Sequence, residues 1–482
     1  MKLIRTDSRG FAKVRAQLLS RGVTYGKSIE SSVHRIINDV RVNGDKSLIK
    51  YTKKFDRVSL TPATLQVDQK VIKEAYSRVN PSDVEDLKYA ASKIRKFHEH
   101  QKVSGWQYKD NGVLLGQMVT ALNRVGVYVP GGKAVYPSTV LMSVIPARIA
   151  GVKEVIICTP TPAVRPLMNG RLTKADEKIP LNPPLKKGEI RFQPLSNGEI
   201  RFPPLVKGGK GGFERTLSDE INPYILIAAD IAGADKIYTI GGAQAVAAMA
   251  LGTDTVPRVD KIVGPGNIYV AMAKKLLFGH VDIDMIAGPS EILIVADDTA
   301  EPSFVAMDML SQAEHDEEAV AILITPSEAL AENVIHNIKS EMKLQSRRKV
   351  IQKSLNNHGI IIITKDLKEA VELTNEFASE HLSLQVAEPM KLLKEIRHAG
   401  AIFLGSYTPQ TMGDYVAGPN HTLPTGGTAR FFSPLSVDDF VKKTSVVMYN
   451  RGALKKDGMV ASRLAEIEGL TAHSEAVKIR MK

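Results

Sequence analysis

From residue 125 onward one local pattern recurs: a short apolar run, usually closed by a Gly or Pro turn and often followed by a stretch with helical spacing. "VGVYVPGG", "VIICTP", "KIYTIGGAQAVAAMA", "KIVGPGN" and "EILIVADD" carry it first, and "AVAILITPSE" and "GIIIITKDLKEAVEL" continue it. Strands that alternate with helices leave few folds open. They predict a parallel α/β sheet with ligands at the carboxyl ends of the strands. The pattern breaks near Gly405, and "DGMVASRLAEIEGLTAHSEAVKIR" reads as helical.

The first hundred residues also read as helical. "SVHRIINDVRVNGD" places Val33, Ile36, Ile37 and Val40 on one face and stops at Asn43-Gly44. "PSDVEDLKYAASKIRKF" opens with Ser82 and Glu85 at capping-box spacing. A length of 482 residues suggests two to four domains. The single cysteine, Cys158, sits in the apolar "VIIC" and reads as a core residue in a chain without internal disulfides. "MKLIRTDSRG" has no apolar stretch and no run approaches a membrane span, so a cytoplasmic location is expected.

The net charge of +12 invites a nucleic-acid reading, but half of it is local. Between Thr161 and Arg215 there are eleven Lys and Arg against five Asp and Glu. That segment also repeats with a period of ten: "PPLKKGEIRF", "QPLSNGEIRF" and "PPLVKGGKGG", Pro183 to Gly212. Its Pro and Gly content and low complexity argue for an insertion without a packed core. No nucleic-acid partner and no membrane partner are expected.

Chemistry concentrates in the second half. In "MDMLSQAEHDEE" the residues Asp308, Gln312 and His315 interrupt an apolar helix at spacings of four and three, which puts them on one face. "ASEHLSL" sets Glu380 beside His381, "GDYVAGPNHTLP" holds Asp414 and His421, and "EGLTAHSEA" holds Glu468 and His473. Any one of these is an ordinary hydrogen-bonded turn. Together they point to a site whose nitrogen and oxygen ligands, without thiolate, suit Zn²⁺ or a similar divalent ion. The glycines of "YVPGGKAV", "IGGAQAV" and "VGPGNIY" end strands where backbone N–H groups can meet phosphates, although no GxGxxG is present. A zinc hydrolase built on His315, Asp414 and His473 would leave those glycines idle. A nucleic-acid-binding protein would act through the basic repeats.

The motifs "RVGVYVPGGKAVYPSTVLMSVIPARIAG", "GGAQAVAA", "VDKIVGPGN", "AGPSEILIVAD", "SQAEHD", "EHLSL", "GDYVAGPNHTLPT" and "LTAH", in this order, resemble those of the histidinol dehydrogenases. The resemblance runs from about residue 29 to the C-terminus, outside the basic repeats. It implies oxidation of L-histidinol to L-histidine through an aldehyde, with two NAD⁺ and one Zn²⁺ per site, as the last step of histidine biosynthesis. It implies zinc on Gln312, His315, Asp414 and His473, and an acid/base pair of Glu380 and His381. Ser290, His421 and Glu468 match substrate contacts, as do Gln312, His315, His381, Asp414 and His473 around the metal; Tyr128, Gln244 and Asn267 match NAD contacts. Asp308 is then a residue that supports the ligands.

The fold implied is α/β, with two Rossmann-like parallel-sheet domains. The expected division is a helical segment at 1–25, a first domain at 26–127 and 290–435, a second, NAD-side domain at 128–289 with an insertion at about 164–217, and a helical tail at 436–482. An intertwined homodimer is implied, in which the tail reaches the partner's site.

Overall fold

The computed structural model describes residues 1–21, 26–131, 135–160 and 221–482. The expected insertion at about 164–217 therefore lies outside the described residues. Two parallel sheets form the body. Along the chain the strands are β1 (Lys2–Arg5), β2 (Trp106–Asp110), β3 (Val113–Ala121), β4 (Arg124–Tyr128), β5 (Glu154–Cys158), β6 (Lys236–Tyr238), β7 (Lys261–Val263), β8 (Asp282–Ile283), β9 (Glu291–Ala296), β10 (Val320–Thr325), β11 (Gly359–Ile363), β12 (His381–Gln385), β13 (Ala401–Leu404) and β14 (Val441–Tyr449). One sheet has the order β6-β5-β4-β7-β8 and the other β1-β11-β10-β9-β12-β13. All pairings within these two sheets are parallel.

The inner strands of both sheets are buried on both faces, which is why they read as unbroken apolar runs. β11 is Gly-Ile-Ile-Ile-Ile and every residue of it is buried. Cys158 ends β5 in full burial, and burial pushes its thiol up, away from reactivity. The helix Lys27–Asn43 buries Val33, Ile36, Ile37 and Val40 and ends at Gly44, whose φ of 49° suits glycine.

The structure corrects four expectations. The N-terminal segment is not purely helical: Lys2–Arg5 adds an edge strand by pairing Leu3 with Ile361. Residues 26–127 do not belong with 290–435. Their helices pack on the five-stranded sheet, Val33 and Leu48 joining Ile156 and Ile262 on one face, Ile72 and Ile94 joining Val125 and Ile157 on the other. An amphipathic helix specifies that it covers a core, but its own sequence does not say which. The helix Pro81–Glu99 starts with proline after Asn80, and Ser82 lies inside it without capping. The tail is not all helix: β14 pairs antiparallel with β3, which pairs with β2, so residues 106–121 form a sheet with the tail.

That three-stranded sheet and the helices Arg451–Ile467 and Thr471–Met481 carry many exposed apolar side chains, among them Trp106, Tyr108, Val447, Met448, Leu464 and Ile467. Among the described residues, no helix is long and apolar enough to cross a membrane.

Candidate active site

The five-stranded sheet starts at β4, steps to β5 and β6 on one side, and returns to β7 on the other. The crevice at such a reversal, at the strand carboxyl ends, is where doubly wound sheets bind ligands. Tyr128 ends β4 there, buried, and its hydroxyl accepts the Gly242 N–H at 3.0 Å. Gln244 lies in the first turns of the helix Gly242–Leu251, buried, with its Oε1 unpartnered. Asn267 caps the helix Ile268–Leu277, its Oδ1 accepting from the N–H groups of Tyr269 and Val270. Gly264 follows β7 at φ 105°, and a Cβ there would collide with the Tyr128 carbonyl oxygen. Residues 132–134 of "PGGKAV" are outside the described residues.

The acid/base candidates sit elsewhere than the strand-end rule predicts. Glu380 and His381 are at the amino end of β12, beside the amino end of β9. The helix Pro302–Ala313 runs back from β9, so Gln312 and His315 at its C-terminal end reach the same edge. Helix C-termini present carbonyl oxygens and the negative end of the dipole. This edge therefore favours positive charge, whereas the carboxyl edge of the other sheet gathers helix N-termini. The two edges meet: the Nε2 of His421 lies 3.2 Å from the Thr139 hydroxyl, and Asn420 donates to the Met142 carbonyl, both in the helix Pro137–Ala150 after β4.

His381 is the centre of the cluster. Its Nδ1 is 3.0 Å from the Glu291 carbonyl oxygen, which can only accept, so Nδ1 carries the proton and, in the neutral ring, Nε2 has the lone pair. Nε2 is buried without a hydrogen-bond partner and lies 3.6 Å from the Asp414 Oδ1. Glu380 accepts the Glu291 N–H at 2.7 Å and sits 3.5 Å from the His381 Nδ1. Burial pushes the Glu380 carboxyl above its ordinary range. Burial pulls His381 down, but the carboxylates of Glu380 and Asp414 outweigh it and hold the imidazole more basic than usual. Asp414 is pushed up by burial and pulled further down by His381, His421 and His315, ending below its ordinary value.

Around this pair, His315 is made less basic by burial, partly offset by Asp414. The Gln312 carboxamide is buried with neither its oxygen nor its nitrogen partnered. Asp308, one turn back, accepts from the Gln385 Nε2 at 2.7 Å, and burial pushes its carboxyl up to about 6. His421 is held by both ring nitrogens, Nδ1 on the Asp414 carbonyl at 3.1 Å and Nε2 on Thr139. Ser290 is half-buried immediately before β9. Glu468 and His473 are not brought to the cluster. Both are exposed, on a helix pair held to itself by Ser462 with Ser474 and by Lys478 with Glu466.

Sequence reasoning missed Glu291. Its signal was an acid directly after Ser290 at the head of a wholly apolar strand, and a buried acid in that place requires a partner.

A cluster without Cys, with the buried unpaired amide of Gln312 and the His315 imidazole near the Asp414 carboxylate, fits a borderline divalent cation. Among the described residues, no three His, Cys, Asp or Glu side chains of one chain converge as a complete metal cluster.

Comparison with known proteins agrees with this architecture. The sequence model of the histidinol dehydrogenase family matches residues 19–176 and 215–481, passing over 177–214 where the ten-residue repeats lie. The chain is 46% identical over 484 residues to the histidinol dehydrogenase of Geobacter metallireducens, covering 100% of this chain and 98% of that one. To the Aquifex aeolicus histidinol dehydrogenase it is 47% identical over 463 residues, 96% and 95% of the two chains. The crystal structure of the Elizabethkingia anophelis histidinol dehydrogenase superposes with a TM-score of 0.83 at 32% identity, covering 100% and 98%. Near-complete coverage at this identity, with the same fold, places the chain in the histidinol dehydrogenase family.

Proposed function

We propose that this chain oxidises L-histidinol to L-histidine in two NAD⁺-dependent steps through the aldehyde, at a zinc site completed by a second copy. The observation that carries the reading is His381: a buried imidazole whose protonated nitrogen is tied to a carbonyl and whose basic nitrogen is free. Such a group removes the substrate's hydroxyl proton as hydride departs. Glu380, held proton-hungry by burial, takes a proton from the water that hydrates the aldehyde. His381 then serves again for the hydrate's hydroxyl. Bound NAD⁺ supplies the hydride acceptor, and Tyr128, Gln244 and Asn267 around the β4–β7 crevice are the residues to hold it. Bound zinc supplies a Lewis-acidic anchor for the substrate's nitrogen atoms. Gln312, His315 and Asp414 would hold it, with the partner's His473. Ser290, His421 and the partner's Glu468 would orient substrate.

A tail this small, with its apolar faces exposed, calls for a partner surface. That supports the homodimer and accounts for the incomplete metal set in one chain.

The reading is tested by absorbance at the NADH band on addition of L-histidinol, with and without chelator. NADH should form only in the metal-loaded protein. Because an amide is a weak ligand and the sheets do not depend on the ion, chelation should abolish turnover while the circular dichroism spectrum stays close to the parent's. Global unfolding on chelation would contradict this. Zinc-dependent hydrolysis without NADH formation would favour a hydrolase instead.

Residues 177–214 are expected to be dispensable, since the family match joins 176 to 215 across them. A variant lacking them should keep turnover and NAD⁺ affinity within a few-fold of the parent. A collapse of NAD⁺ binding in that variant would show that the insertion has been recruited to the cofactor side.

A further inference from the structure

One residue beside the acid/base pair touches both of its members. The backbone of Glu291 donates its N–H to Glu380 and offers its carbonyl to the His381 Nδ1. Whatever fixes Glu291 therefore fixes the orientation of Glu380 and the tautomer of His381 together. Its side chain is anchored in turn. Oε1 accepts the Gly426 N–H at 2.5 Å and Oε2 accepts the Arg21 Nε at 2.5 Å, with the carboxylate 2% and the guanidinium 13% exposed.

Arg21 uses its whole fork. Besides Glu291 it donates to the Leu18 carbonyl at 2.6 Å and to the Phe377 carbonyl at 2.7 Å, and it lies over the Phe377 ring. Phe377 ends the helix that leads into β12. Between it and the pair stand Ala378, at φ 49°, and Ser379. A non-glycine residue there is strained and persists only where its surroundings hold it. Arg21 thus grips both approaches to the pair: the head of β9 through Glu291, and the turn before Glu380 through Phe377.

A buried ion pair is a poor stabiliser, because desolvation offsets its attraction. Its geometric value is separate. We propose that Arg21 and Glu291 are positioning residues for the reaction, a buried clamp that sets Glu380 and the Nδ1–H form of His381 without touching substrate. The proposal rests on the reading of Glu380 and His381 as the acid/base pair.

The test uses full-length Arg21→Met, Glu291→Gln and the double variant, in metal-loaded protein. NADH formation from histidinol is measured at a temperature where circular dichroism shows each variant fully folded. Arg21→Met leaves an unpaired buried carboxylate free to shift. Turnover should fall on the order of ten- to a hundred-fold, the penalty of a misplaced catalytic group, with KM for histidinol and NAD⁺ near the parent's. Adding Glu291→Gln removes the unpaired charge but keeps an acceptor for the Gly426 N–H. The double variant should therefore recover most of the lost turnover. A purely structural staple would lower melting temperature and leave turnover of the folded protein intact, and that result overturns the proposal. So does a loss confined to KM, or a double variant as impaired as Arg21→Met. If an Arg21→Met chain does not fold, Glu291→Gln alone decides: it should lower turnover without moving KM, and parental turnover would overturn the clamp. A parent that makes no NADH from histidinol would remove the acid/base reading itself; an active parent with unaffected variants removes only the clamp.

Discussion

His381→Asn is expected to lower the turnover of histidinol oxidation by about 10²- to 10⁴-fold, the range for a positioned general base. Asparagine can still donate to the Glu291 carbonyl through its amide, so the local hydrogen bond survives. What disappears is the basic nitrogen, now buried and unpartnered near Asp414. KM for histidinol should move little, because the lost function is proton transfer, made only in the transition state. Steady-state rates at saturating NAD⁺ check this. A large rise in KM with turnover preserved at saturation would make His381 a binding residue and leave the base unassigned.

Much of the fold was legible because the sequence is consistent with it at short range. Buried parallel strands read as apolar runs, and Gly44 marks a helix end by its backbone conformation. Gln312 and His315 were legible as one face of a helix, and the structure does bring that helix end to the edge where His381 and Asp414 lie. Non-local pairings were not legible. Lys2–Arg5 is too short to show a period, and its strand character comes from β11, more than three hundred residues away. The helices of residues 26–99 show which side is apolar but not which sheet they cover. The strand-end rule points to the crevice beside Tyr128 but not to Glu380, which lies at an amino edge, where the helix Pro302–Ala313 also ends. Arg21 was invisible in the sequence, since nothing in "LLSRG" announces a partner at Glu291.

The His381 cluster is expected to become a histidinol-oxidising site only when the tail of a second chain supplies His473. In one chain His473 is exposed, on a helix pair whose hydrogen bonds and ion pairs stay within the tail. His381→Asn and His473→Ala, each expected to be severely impaired alone, therefore make the direct test when co-expressed with different tags and purified as the mixed dimer. If the tail crosses over, one site carries both lesions and the other carries neither. NADH formation should then return to about half the parent's rate per dimer, as two-fold symmetry requires. If His473 works within its own chain, each site carries one lesion. A confirmed mixed dimer that forms no NADH from histidinol would contradict the account.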